Sequence, residues 1–167
     1  MFYRRLGMAA LLWFFLVLPL PASMVSFMVI ETGLPMEARR TEYSSLWEDG
    51  LMSVFFDAGH IVSNSLVMRL EKTPETEFPQ EAQADYLEAS GGGAEFFVLV
   101  FLEYTPQGGV MRPQNTLVKI FTTGVSSGTP RTLIYEQRFP GTGTGLRDEY
   151  VRAQDTARVI EAQLKDR

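Results

Sequence analysis

Phe96-Phe97-Val98-Leu99-Val100-Phe101-Leu102 is the stretch that decides the fold. The run is apolar throughout, mostly aromatic or β-branched, and bounded by Gly91-Gly92-Gly93 before it and Glu103 after it. It is too short for a core helix, so it reads as a strand buried on both faces. Such a strand needs neighbours on both edges and a layer over each face. Residues 24–30 supply a second run of the same kind, with Val25, Phe27, Val29 and Ile30, stopped by Thr32, Gly33 and Pro35. Between the two runs, Trp47, Leu51, Val54, Phe55 and Ala58 recur on one face of a predicted helix over 41–58, closed by Gly59. Ile61 and Val62, followed by residues 66–70, read as the second strand, and the polar segment 71–79 ends it. Strand, helix and strand make a βαβ unit, which pairs its strands in parallel.

A short helical pattern over 80–89 (Ala82, Tyr86, Ala89) leads into the deciding strand. Downstream, residues 116–123 and 131–139 alternate apolar and polar positions, with Gly, Pro and Ser in the connections, as antiparallel hairpins require. Leu146, Tyr150, Ala153, Ala157, Ile160 and Leu164 mark a last helix running from 146 to the end. The prolines after residue 23 all fall between these predicted elements. The expected fold is α/β (α+β): a single domain with a mixed five-stranded sheet, order β-α-β-α-β-β-β-α, and helices packed on the sheet.

The first 23 residues stand apart. Arg4 and Arg5 precede an uncharged apolar stretch over 6–20, and Pro19, Pro21, Ala22 and Ser23 follow, the pattern of a secretory signal peptide cut after Ala22 or Ser23. Uncleaved, the same stretch would be an anchor, although it is shorter than the roughly 20 residues that cross a bilayer. The expected division is 1–23 signal peptide and 24–167 domain, in an exported, periplasmic protein that touches membrane only through an uncleaved N-terminal segment.

The 167 residues carry 15 Lys and Arg against 20 Asp and Glu, one His and no Cys. Without Cys there is no disulfide, thiolate nucleophile or lipid-carrying cysteine, and one His cannot build a multi-histidine metal centre. A net charge of −5, moving to −7 once Arg4 and Arg5 are removed, argues against nucleic acid as a partner.

The stretch Phe55-Phe56-Asp57-Ala58-Gly59-His60-Ile61-Val62 resembles the helix, glycine and strand step of small periplasmic α/β domains of the TolB N-terminal, CsgG and LpoB type. The passage from Ala84 through Gly93-Ala94-Glu95 into Phe97-Val98-Leu99 is similar to their second helix entering the third strand, and the hairpin around Gly124 and Gly128 to their meander. The resemblance implies a non-enzymatic envelope protein that contacts other proteins. Their lipid attachment is not carried over, because this chain has no Cys.

The candidate chemical sites each have a structural reading beside them. Gly124-Val125-Ser126-Ser127-Gly128 spells a nucleophile elbow around Ser126, but a strand rather than a helix follows, which reads as a hairpin loop. His60, beside the helix cap, reads as a side chain bonding the last helix carbonyls rather than as a ligand or switch. Gly91-Gly92-Gly93 precedes a strand and so does not form a phosphate cradle. Gly141, Gly143 and Gly145 precede a helix but lack a following Lys and Ser or Thr. Glu75, Glu77 and Glu81 are dispersed, and Asp148 and Glu149 suit the first turn of the last helix.

No catalytic, metal or cofactor residue is expected. The chain reads as a non-catalytic interaction or assembly module whose partners are envelope proteins or itself. The alternative is a periplasmic small-ligand-binding domain, with the ligand at the carboxyl ends of the first and third predicted strands, near Glu31, Gly33, Glu103 and Thr105.

Overall fold

The computed structural model describes residues 22–37, 39–124, 128, 130–141 and 145–165. Strand β1 (Met24–Thr32) pairs in parallel with β2 (Ile61–Asn64) and β3 (Met68–Leu70) on one edge and with β4 (Phe96–Gln107) on the other. Strands β5 (Val110–Thr122) and β6 (Thr132–Pro140) continue the sheet antiparallel, giving the order β2-β1-β4-β5-β6. The expected fold class holds: a single α+β domain with a mixed sheet and three helices packed on it.

Helix α1 (Glu42–Asp57) begins at Thr41, whose hydroxyl accepts from the Ser44 amide at 3.3 Å. It shares one face of the sheet with α3 (Leu146–Lys165), and α2 (Gln83–Gly91), preceded by a 3₁₀ turn over Gln80–Ala82, covers the other. On the first face Phe27, Val29, Val98, Val100 and Ile120 pack against Trp47, Leu51, Phe55, Ala157 and Ile160. On the second, Met28, Ile30, Leu99 and Phe121 pack against Ala82 and Tyr86. Alternate residues of β1 and β4 serve the two cores, which is why both strands are apolar without interruption.

Three details differ from the sequence reading. The second strand is broken into β2 and β3, so the sheet has six strands rather than five. At the break the Asn64 amide donates to Glu48 at 3.1 Å and the Ser65 amide to the Phe27 carbonyl at 2.9 Å.

Pro106, Pro113 and Pro140 lie inside strands, not between them. Gly108 and Gly109, with φ of 59° and 83°, form a two-residue turn that carries β4 and β5 beyond their other neighbours. Pro106 lies past the last β1–β4 pair, Thr32 with Glu103, and Pro113 lies before the first β5–β6 pair, Asn115 with Pro140. Each therefore has an open edge on which a missing N–H costs nothing.

The buried stripe of α3 is also rotated in its first turns. Leu146 is exposed, whereas Glu149 and Arg152 are buried.

Residues 1–21 lie outside the described set, so the segment read as a signal peptide is seen only at Ala22 and Ser23. The Ser23 carbonyl accepts from the Ile61 amide at 3.0 Å. No described helix is long and apolar enough to cross a membrane.

Candidate functional site at the carboxyl ends of the sheet

In an open α/β sheet, ligands settle where parallel strands end, and here that place is built from β1, β3 and β4. Parallel pairing sets Glu31 opposite Leu102 on one side and Arg69 on the other. The Glu31 side chain is almost fully buried, with 1% of its residue surface exposed. One carboxylate oxygen accepts from the Thr41 amide at 3.1 Å and the Thr41 hydroxyl at 2.6 Å, and the other is paired with Arg69. The Tyr104 hydroxyl lies 2.6 Å from Thr41 Oγ1. Because Thr41 gives its one hydroxyl proton to Glu31, Tyr104 is the donor in that second contact.

The electrostatics follow from these contacts. Burial pushes the Glu31 carboxyl up, but hydrogen bonds from Thr41, Arg69 and Ser44 outweigh it and hold the group below its ordinary value. Burial raises the Tyr104 phenol, the Thr41 hydrogen bond opposes that, and the Glu31 charge adds to the rise. The result is an ionised carboxylate fed by a protonated phenol.

Arg69 also donates to the carbonyls of Pro35 at 3.2 Å and Arg39 at 3.1 Å, which draws the loop after β1 over the strand ends. At Gly33 that loop runs so close to β4 that an added Cβ would lie 2.5 Å from the Tyr104 carbonyl oxygen, with φ already at 82°. On the opposite face Glu103 accepts from Thr73 at 3.0 Å and from Arg138 at 2.7 Å, while Thr73 lies 3.1 Å from the Thr32 hydroxyl.

Of the residues the sequence placed around one crevice, Glu31 and Glu103 stand at neighbouring strand ends but face opposite sides of the sheet, Gly33 lies against the Tyr104 carbonyl, and Thr105 is exposed. Thr41, Arg69 and Tyr104 close around Glu31 on one face, and Thr73 and Arg138 around Glu103 on the other. Sequence reasoning missed these partners, because Arg69 and Arg138 stand on different strands and meet the carboxylates only through register. What stays open is shallow and mainly apolar: a groove of about 610 Å³ beside Leu34, Met36, Pro106 and Met111, and one of about 650 Å³ beside Leu70, Pro74 and Phe78. Both border Met36 and Glu71.

The other candidates lie elsewhere. His60 caps α1 through its backbone, its amide donating to Phe55 O at 3.1 Å, but its imidazole bonds no helix carbonyl. The ring instead stands edge-on to Phe55, with Nε2 4.0 Å from Glu161 Oε1. Packing against Phe55 keeps the ring from reaching back over the helix end. Ser126 and Gly143 lie outside the described residues. Gly92 and Gly93 form the tight passage from α2 into β4, with Gly93 N bonded to Ser90 O at 3.0 Å.

Asp148 and Glu149 do occupy the first turn of α3, but Glu149 does more than face the helix dipole. It accepts from Trp47 Nε1 at 3.0 Å and from Arg152 at 2.9 Å, and Arg152 continues to Thr116. An acidic and a basic residue three apart resemble a solvent-facing pair. Their burial is decided by Trp47, on another helix. Among the described residues, no three His, Cys, Asp or Glu side chains gather as metal ligands.

No protein-family model and no curated protein matches the chain. Among solved structures, a dodecameric variant of PelC from Paraburkholderia phytofirmans is 14% identical with a TM-score of 0.44, covering 85% of this chain and 89% of that one. The hypothetical protein CT253 from Chlamydia trachomatis is 12% identical with a TM-score of 0.39, covering 87% and 93%. At these values neither likeness assigns a role to this chain.

Proposed function

We propose that this chain is an exported, non-catalytic α/β module of the cell envelope that works by contacting other proteins or further copies of itself. The mutual pairing of the polar side chains at the strand ends carries this reading. At the place where an open sheet takes a small ligand, Glu31, Thr41, Arg69 and Tyr104 are spent on one another, while the neighbouring surface offers exposed Met36 and Val110. Paired interior charges and exposed apolar side chains suit a contact surface better than a reaction centre. The N-terminal pattern of Arg4, Arg5 and an apolar stretch over 6–20 supports export.

The test uses the full chain with a C-terminal tag, fractionated and crosslinked in cells. The reading expects the tag in the periplasmic fraction with a crosslinked protein partner, and loss of that partner in Met36→Asp with Val110→Asp. A cytoplasmic tag, or a small molecule that raises the melting temperature in proportion to its occupancy, would overturn it.

A further inference from the structure

The two edges of the sheet are built differently. One consists of β2 and β3, four and three residues long with a break between them. Shortness and interruption are the usual protection of an edge against pairing with another chain. The other edge is β6, nine residues with one irregularity at Ile134 and regular pairing from Tyr135 to Pro140, and among the described residues only β5 pairs with it. Over 132–139 it carries neither Pro nor Lys, the residues that most often blunt an edge.

The centre of β6 reads Tyr135-Glu136-Gln137-Arg138-Phe139: aromatic, acid, amide, base, aromatic. Register with β5 assigns the faces. Tyr135, Gln137 and Phe139 oppose Ile120, Val118 and Thr116 on the side of α1 and α3, while Glu136 and Arg138 oppose Lys119 and Leu117 on the other side. Glu136 and Arg138 are both exposed.

We infer that β6 is a self-association edge, pairing antiparallel with β6 of a second copy about a twofold axis at Gln137. A twofold perpendicular to the sheet keeps each face with its like, and opposite residues then share a side. Centred on Gln137, the pairing sets Glu136 across from the second copy's arginine at both symmetry-related positions, and Tyr135 across from its phenylalanine. Centring on Glu136 or Arg138 would set like charges face to face, which is unfavourable. The strand is complementary to itself in that register.

A second observation agrees. Between β6 and α3 runs a groove of about 590 Å³ beside Phe139, Val151 and Val159, flanked by Arg147 and Asp155. Val151 and Val159 point away from the helix's buried face and are exposed. The twofold sets this groove and its copy on one face of the continuous sheet, on either side of the seam.

This goes beyond the proposed function by naming the partner, and its test does not depend on export. The chain contains no Cys, so Gln137→Cys creates the sole thiol, placed at the axis where facing Cβ atoms stand within reach of a disulfide. Purified full chain carrying this change, oxidised with copper phenanthroline, is expected to form a covalent dimer. Leu66→Cys, on the opposite edge, is not.

Adding Arg138→Glu to Gln137→Cys sets like charges across both positions and is expected to reduce dimer formation about ten-fold. Adding Glu136→Arg as well restores unlike charges and is expected to restore the dimer. The restoration is diagnostic because Arg138 also pairs with Glu103 and Glu136 lies 3.7 Å from Lys119 within the chain. Damage to those internal pairs would be deeper in the combined variant, not relieved. Crosslinking no stronger at position 137 than at 66, or no recovery in the combined variant, would overturn the inference. A different protein captured in cells under those outcomes would still support the interaction-module reading.

Discussion

The two faces of the sheet are closed by different means. Over the first, α1 and α3 pack on each other so closely that a Cβ at Gly50 would lie 2.7 Å from the Ala153 Cβ. Between them and the sheet runs a buried chain of hydrogen bonds from Trp47 through Glu149 and Arg152 to Thr116. Over the second face, α2 is only nine residues long, and the remaining cover is the loop before it. Phe78 from that loop stands edge-on to Phe121 at 5.0 Å and to Tyr86 at 5.5 Å, with the Arg131 guanidinium 3.8 Å from its ring centroid. The nearly buried Lys119 ammonium holds the loop by donating to the carbonyls of Thr76 at 3.0 Å and Glu77 at 3.1 Å.

Regular elements in direct contact tolerate little change, while a loop pinned by one ring and one ammonium opens first. The first face therefore carries the larger mutational cost, and the second the greater local freedom.

The sharpest break of this contrast is Arg152→Ala. It leaves Glu149 buried without its cation and is expected to cost about 3–5 kcal/mol in urea unfolding. Next is Gly50→Val, which forces α1 and α3 apart and is expected to cost about 1–3 kcal/mol, with a smaller loss for Gly50→Ala. On the second face Lys119→Met keeps the length of the side chain and removes the donor, with an expected cost of about 1 kcal/mol. Its clearer signature is faster amide exchange in residues 71–79 at unchanged exchange in α1. Equal costs for Arg152→Ala and Lys119→Met would erase the distinction between the faces.

The smallest effect is at high pH. Burial raises the Tyr104 phenol above its ordinary value, and Tyr135 is raised by burial too. A group raised in the folded state stabilises fully below its unfolded value, near pH 10, and that stability is lost as pH rises beyond it. Tyr104→Phe is expected to flatten the alkaline limb of the stability profile without abolishing it, since Tyr135 remains.

Much of this was legible in the chain. The continuous runs of β1 and β4 could only be strands with a core on each side, and α1 was bounded within a residue by Thr41 and Gly59, which carry their own cap chemistry. The rest depended on geometry that only the fold supplies. Ile61 to Leu70 reads as one strand until Asn64 finds Glu48 on a helix. Glu149 and Arg152 read as exposed until Trp47 requires an acceptor. At the strand ends, sequence placed Glu31 and Glu103 near each other from the order of the strands, but Arg69 and Arg138 became their partners through β3 and β6, and Thr41 through the loop that folds back. Those pairings make the Glu31 cluster a closed polar joint on one face and tie Glu103 to Arg138 on the other.

The central claim is that this joint is structural, and stability of Glu31→Gln measured against pH tests it most directly. Glu31 is held below its ordinary value in the folded protein, so its contribution is complete above the unfolded value and lost as pH falls through the folded one. The account predicts that Glu31→Gln is less stable than the natural chain by about 3 kcal/mol at pH 7, and that the difference shrinks as the solution is taken well below pH 4. A variant as stable as the natural chain at pH 7, or more stable, would mark Glu31 as a residue kept at a cost for chemistry or ligand and would contradict the account.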